Sequence, residues 1–275
     1  MLSAQAISFT VRFMSDTLSH LNTVREQFTR QAEVYARMQH ATDTTAFRQL
    51  VSLAQPQPHH KVLDVACGPG FLTMTFAEYC AHAVGLDATD KFLVLAQAEA
   101  KRRGLRNLTF QRGDAGQLPF AEGTFDIVVC RAAFHHMPQP DRTLAEMKRV
   151  AKRAGRLLIC DMLASEDPQK AAYHNRLERL CDPSHARALP ESEFERLFAR
   201  AALHVVARPK IPLRMAADEW LKHGGPSEPR AQEILRLLEA SLDGDQTGLR
   251  IEREQSKLYL NHTIVTFVAT PAPPP

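Results

Sequence analysis

The stretch KVLDVACGPG, residues 61–70, decides the fold. Residues 61–66 are short and rich in Val and Leu, and Cys67-Gly68-Pro69-Gly70 closes them before a run with helical spacing begins at Phe71. This order predicts a buried strand, a glycine turn and a helix. Glycines at such a turn let the backbone approach a ligand with no Cβ in the way, and the following helix offers free N–H groups.

The same alternation continues downstream. Strands are expected over residues 82–87, 108–112, 124–130, 156–161 and 204–208, and helices over 71–79, 89–103, 140–152 and 191–202. Strands separated by helices require crossovers to a parallel sheet covered on both faces. The expected fold is therefore α/β, a doubly wound Rossmann-like sheet with its ligand crevice at the carboxyl ends of the strands. The final segment, 257–269, is rich in β-branched and aromatic residues and follows a strand without a regular crossover helix, so it can return antiparallel.

Around this core, residues 1–19 read as a flexible tail, with Met14 a candidate natural start. In residues 20–38, Leu21, Val24, Phe28, Tyr35 and Met38 recur at helical spacing. That helix and a second over 42–54 form an N-terminal unit, residues 20–55, that either packs on the sheet's flank or closes over a pocket as a lid. The core follows as 56–213, then a helical cap insertion over 214–250, the final strand within 251–270 and a disordered tail over 271–275. Residues 162–190 read as irregular.

Composition narrows the function classes. No run of residues is apolar enough to span a membrane, and the N-terminus lacks the pattern of a signal peptide. A net charge of +3 gives no case for nucleic acid. The five cysteines form no CxxC pair and read as small core residues of a cytoplasmic protein. The oligomeric state, monomer or homodimer, stays open.

Three acids fall in register. Asp64 lies in the first strand, Asp87 ends the second and Asp114 follows the third, so all three converge on one crevice. An acid at Asp87, about 20 residues beyond the first glycine, can accept both hydroxyls of a ribose. Dinucleotides and S-adenosylmethionine are the two ligand classes that fit. Thr73 stands where a dinucleotide turn needs its third glycine, and Asp64 would repel a pyrophosphate but suits an ammonium and a sulfonium. Asp114 would then reach the adenine amino group.

These motifs, with RGDAGQLPF at 112–120 and FDIVVCRAAFHHMPQP at 125–140, resemble the successive motifs of class I S-adenosylmethionine-dependent methyltransferases. The chain is most similar to the group that includes the ubiquinone and menaquinone C-methyltransferases. The likeness is strong over 61–161 and looser at FTRQAEVYA (28–36) and LCDPSHARAL (180–189). It implies S-adenosyl-L-methionine as cofactor and S-adenosyl-L-homocysteine as product. Asp64, Ala66, Gly68 and Gly70 would line the methionine side, Asp87 and Ala88 the ribose, Asp114 and Ala115 the adenine, with Arg131 at the end of the fourth strand also in the site. Lys152-Arg153-Ala154-Gly155 departs from the family's Pro-Gly-Gly turn.

The acceptor is less defined. Enzymes that methylate amino groups of nucleobases and glutamine carry an Asn/Asp-Pro-Pro-aromatic motif where this chain has Arg131-Ala132-Ala133-Phe134-His135-His136, which points to a carbon or oxygen of a small, partly apolar molecule. His135 and His136 are candidate general bases, against a role in capping or packing the loop. His185 and Arg187 are candidates in the segment after the fifth strand, and Phe28, Tyr35, Phe134, Met162 and Trp220 are candidate pocket walls. No metal is expected, since adjacent histidines on one loop rarely share an ion. The other reading of the same residues is an S-adenosylmethionine-binding protein that uses the cofactor structurally or for non-methylating chemistry.

Overall fold

A computed structural model describes residues 4–38 and 43–271, with side chains from residue 18 onward. Its elements in chain order begin with α1 (Ala4–Tyr35), α2 (Thr44–Ala54), β1 (Lys61–Val65), α3 (Phe71–Ala77), β2 (His82–Asp87), α4 (Asp90–Arg102), β3 (Leu108–Arg112) and β4 (Phe125–Arg131). There follow a 3₁₀ turn (Phe134–His136), α5 (Pro140–Val150), β5 (Ala151–Met162), α6 (Pro168–Cys181), α7 (Glu191–Arg200), β6 (Leu203–Ala207) and β7 (Lys210–Ala216). The chain closes with α8 (Ala217–Gly224), α9 (Glu228–Ala240), β8 (Glu252–Glu254) and β9 (Lys257–Pro271).

The main path of the sheet runs β3-β2-β1-β4-β5-β9-β6, with β1 to β5 parallel and β9 antiparallel to its neighbours. The strand order reverses between β1 and β4, so the ligand crevice opens at their carboxyl ends. Side-chain alternation divides the core. Leu63, Val65, Val128, Cys130, Leu157 and Ile159 pack toward α5 and α7, while Val62, Ile127, Val129 and Leu158 pack toward α2 and α3. Burial on both sides explains why these strands read as continuous apolar runs.

Among the described residues the sheet has nine strands, where the sequence leads one to expect seven. β7 continues along the same edge of β9 after β6, the break falling at Arg208-Pro209, where proline has no N–H to donate and Thr266 instead donates to the Pro209 carbonyl (3.0 Å). β8 forms a short hairpin with the start of β9. The stretch at 152–155 does not form a simple turn: β5 pairs with β4 at Ala151 and again from Arg156, leaving the four residues between as a bulge. All five cysteines are buried and free.

Two expectations are corrected. Residues 4–19 are not a tail; they extend α1 as one helix to Tyr35. Residues 168–181 are not irregular, because Asp167 caps α6 through the Gln169 amide (2.8 Å) and Pro168 occupies the first turn, where its missing N–H costs nothing. The helix buries Leu177 and Cys181 in a third hydrophobic cluster with Trp220, Ile234 and Leu238 of α8 and α9 and with Met215, Leu258 and Leu260 of β7 and β9. Residues 272–275, expected to be disordered, lie outside the described residues, as do 39–42 at the expected start of the second helix. No helix among the described residues is long and apolar enough to cross a membrane.

The α6–α8 contact depends on Gly224, where an added Cβ would lie 2.1 Å from the Cys181 carbonyl oxygen. Gly224→Ala should destabilise the protein by about 1–3 kcal/mol, the usual cost of overpacking. Urea denaturation checks this, and an unchanged midpoint would show that the helices do not approach so closely.

Candidate active site

The glycine turn sits behind β1 in a conformation that its residues are chosen for. Gly68 and Gly70 have φ of +52° and +76°, and a Cβ on Gly70 would lie 2.5 Å from the Phe110 ring. Ala66 (φ +56°) and Ala132 (φ +50°), which follow β1 and β4, occupy the same left-handed region without being glycine. Such positions cost about 1–3 kcal/mol each and concentrate at functional sites. Both alanines face the crevice where the strand order reverses.

The three acids converge there. Asp64 is buried, and Thr73 Oγ1 donates to its Oδ2 (2.6 Å). Thr73 therefore replaces a third glycine with a partner for the strand's own acid. Burial pushes the Asp64 carboxyl up to about 7, against that bond and the charge of Arg131. Asp87 accepts from the Gly68 amide (2.8 Å) and the Thr89 amide (2.7 Å), and burial raises its pKa despite both bonds. Asp114 accepts from the Gly116 amide (2.9 Å).

One chamber is lined by Asp64, Ala66, Gly68, Asp87, Ala88, Asp114, Ala115 and Arg131. Gly70 lies behind it, at the start of α3. A second cavity of about 550 Å³ adjoins the first, sharing Phe28, Tyr35, Arg131, Ala132 and His136 as common wall. Its apolar surface comes from Met162, Leu213, Met215, Trp220 and Ile264, and its polar surface from His135, Asp161, Glu178, Asp182, His223 and His262.

Helix α1 contributes Phe28 and Tyr35 to the walls of both chambers. Its Gln27 donates to the Gly224 carbonyl (2.7 Å) at the cap, and its Arg25 donates to the Ala88 carbonyl (3.3 Å) beside the first chamber. Phe28 packs on Phe92 (5.7 Å) and edge-on to His136 (5.0 Å).

The two adjacent histidines have different environments. His135 Nδ1 meets Asp161 Oδ1 at 2.6 Å, and the His135 amide donates to the other carboxylate oxygen (3.0 Å). Burial works against a charged His135, but the Asp161 charge and hydrogen bond outweigh it and raise the pKa; Asp161, though buried, is lowered in turn by His135. His136 Nδ1 contacts the Ser184 carbonyl (2.9 Å), which assigns the proton to Nδ1 and leaves Nε2 as an acceptor. Burial and the neighbouring His135 push His136 down to about 4.

Phe134, His185 and Arg187 are not in this cavity. They lie at a separate groove on the other side of the histidine turn. Phe134 is core, stacked on Phe194 at 5.7 Å. His185 is buried with Nε2 on Asn175 Oδ1 (2.7 Å), and Arg187 pairs with Glu193 (2.9 Å). The segment instead braces the turn: the Ala186 and Arg187 amides donate to the His135 carbonyl (3.0 and 2.9 Å).

Residues 56–225 match the family model described as a methyltransferase domain. The chain is 33% identical over 216 residues to the uncharacterised methyltransferase YcgJ of Bacillus subtilis, covering 78% of this chain and 85% of the relative. The chain is a methyltransferase of this family. It is also 32% identical over 148 residues to the ubiquinone/menaquinone biosynthesis C-methyltransferase UbiE of Rhizobium johnstonii, a match spanning 52% of this chain and 55% of that protein. The solved YcgJ structure superposes with a TM-score of 0.73 at 30% identity, covering 82% of this chain and 97% of that one. A solved Bacillus halodurans chain gives 0.79 at 26% identity, covering 83% and 100%. These likenesses make the chain a class I S-adenosylmethionine-dependent methyltransferase with a Rossmann-like fold.

Several wall residues of the methyltransferase escaped the sequence. Leu213 and Met215 come from β7, and Glu178 from α6. His135 and Asp161 meet because β4 and β5 are neighbours, a pairing 26 residues apart that no local motif marks.

The His135–Asp161 pair carries a pH signature. The lowered Asp161 pKa contributes stability above its ordinary 3.8, lost as pH falls through the shifted value; the raised His135 pKa contributes below its ordinary 6.5, lost as pH rises through its own shifted value. Wild type should exceed Asp161→Asn in stability most between those two ordinary values. NMR titration of the His135 ring should give a pKa above 6.5 that falls in Asp161→Asn; no change would show that the pair does not form.

Proposed function

We propose that this methyltransferase holds S-adenosyl-L-methionine in the chamber of three acids and a small, partly apolar acceptor in the adjoining cavity, and methylates a carbon or oxygen of that acceptor. The observation that carries the reading is the shared wall at Ala132 and His136, where the two chambers meet. The donor set fits the cofactor: a buried carboxylate at Asp64 for an ammonium, Asp87 for a ribose diol, and Asp114 for an adenine amino group. When bound, the cofactor supplies an electrophilic methyl on a sulfonium, and S-adenosyl-L-homocysteine is the product.

The chain's own task is placement. Orienting two reactants contributes up to about 7–11 kcal/mol in model systems. Phe28 and Tyr35 from α1 form part of both chambers, so in this reading residues 20–55 act as the lid and 214–250 as the cap. Of the two histidines, His135 is the better base. Asp161 fixes its ring and stabilises the imidazolium formed on taking a proton from a phenol, enol or other acidic hydroxyl, whereas His136 at about 4 is too weakly basic. The Ala186 and Arg187 amides hold this turn in place.

Asp87→Ala should abolish measurable binding of S-adenosyl-L-homocysteine in calorimetry with the fold intact by circular dichroism, since its carboxylate also shapes the turn through Gly68. Unchanged affinity would place the cofactor elsewhere. With radiolabelled cofactor and a panel of phenolic and enolic acceptors, His135→Ala should lower kcat by about 10²–10⁴ while sparing cofactor affinity. An equal kcat would remove His135 as base.

A further inference from the structure

Helix α6 and strand β9 bring His174, Glu178 and His262 together, with Glu178 and His262 in the wall of the second cavity and His174 behind them. His174 and Glu178 are one helical turn apart, on the same face, with His174 Nε2 3.2 Å from Glu178 Oε1. The rings of His174 and His262 are 5.7 Å apart, and one potential ligand atom from each of the three residues lies within 4.8 Å of the others. All three side chains are buried, at 0%, 5% and 3% exposure.

As a purely structural cluster the arrangement is poor. The His174–Glu178 contact is long for a charge-assisted bond, which usually spans about 2.7–2.9 Å. Nδ1 of His174 and Nδ1 of His262 are both buried without a hydrogen-bond partner. A buried polar atom left unpaired costs about 1–3 kcal/mol, so two in one cluster call for a ligand.

We propose that these residues form a mononuclear site for a divalent transition ion, two imidazoles and one carboxylate, the donor set that zinc and ferrous iron accept. Metal–ligand bonds of about 2.0–2.2 Å keep ligand atoms roughly 3–4 Å apart, so the site closes on an ion with small side-chain adjustments. Glu178 and His262 also line the cavity, so remaining coordination positions face it, as in sites that bind a substrate rather than only hold structure. The ion would take an oxygen donor of the acceptor, such as a phenolate or enolate. That last role rests on the proposed function; the ion's binding does not.

Untagged full-length protein stripped with chelator and titrated with Zn²⁺ or Co²⁺ in calorimetry should bind one ion per chain, and Co²⁺ should develop the visible absorption of a low-symmetry site. His262→Ala and Glu178→Gln should each weaken binding by more than about 10-fold, while His59→Ala, at an exposed histidine, should leave it unchanged. Glu178→Gln keeps shape and is checked by thermal melting. S-adenosyl-L-homocysteine affinity should stay within twofold in both cavity variants, which separates failure of this site from failure of the cofactor reading. No saturable ion in wild type, or ion binding that survives His262→Ala and Glu178→Gln, would overturn the proposal.

Discussion

The Asp87 carboxylate accepts one hydrogen bond from Gly68 in the turn after β1 and one from Thr89 at the start of the next helix, and the crevice depends on this pair. Those bonds fix the turn against the end of β2 and use one lone pair on each oxygen, leaving the others for hydroxyl donors. The conformation they hold is strained at Ala66 and mirrored at Ala132 after β4, so both strands flanking the topological switch end in left-handed residues. Strain of this kind persists only where surrounding contacts over-determine it, and the Cys67 amide on the Leu86 carbonyl (3.0 Å) and the Ala132 amide on the Cys160 carbonyl (2.8 Å) supply such contacts.

Helix α1 completes what the sheet leaves open. It is bonded through Gln27 to Gly224 at the end of α8 and through Arg25 to Ala88 in the wall of the first chamber, so a single helix couples the two cavities. His20 Nε2 approaches the His136 carbonyl at 2.9 Å, tying the same helix to the histidine turn. Chemistry and enclosure are thereby linked: Phe28 touches both Phe92 and His136.

The first chamber was legible in the sequence because Asp64 lies within a strand, Asp87 ends one and Asp114 follows one, each strand with its own apolar pattern, and neighbouring strands converge by topology alone. The second chamber was not. α6 has its apolar stripe turned to the cap rather than to the sheet, β7 carries Lys210, Pro212 and Arg214 among its apolar residues, and β8 is Glu-Arg-Glu, held only by its hairpin. His262 reads as one polar residue in an alternating strand until α6 is placed opposite it. Phe134 was expected among the pocket walls, but it lies in the 3₁₀ turn and joins the core instead.

The most direct test is a crystal structure with S-adenosyl-L-homocysteine bound. The sulfur should lie at the seam formed by Ala132 and His136, the amino end at Asp64 and the ribose at Asp87, with the cavity bounded by Trp220 and Met215 left open. Cofactor lodged among Trp220, Met215 and His262 would contradict the assignment of the two chambers.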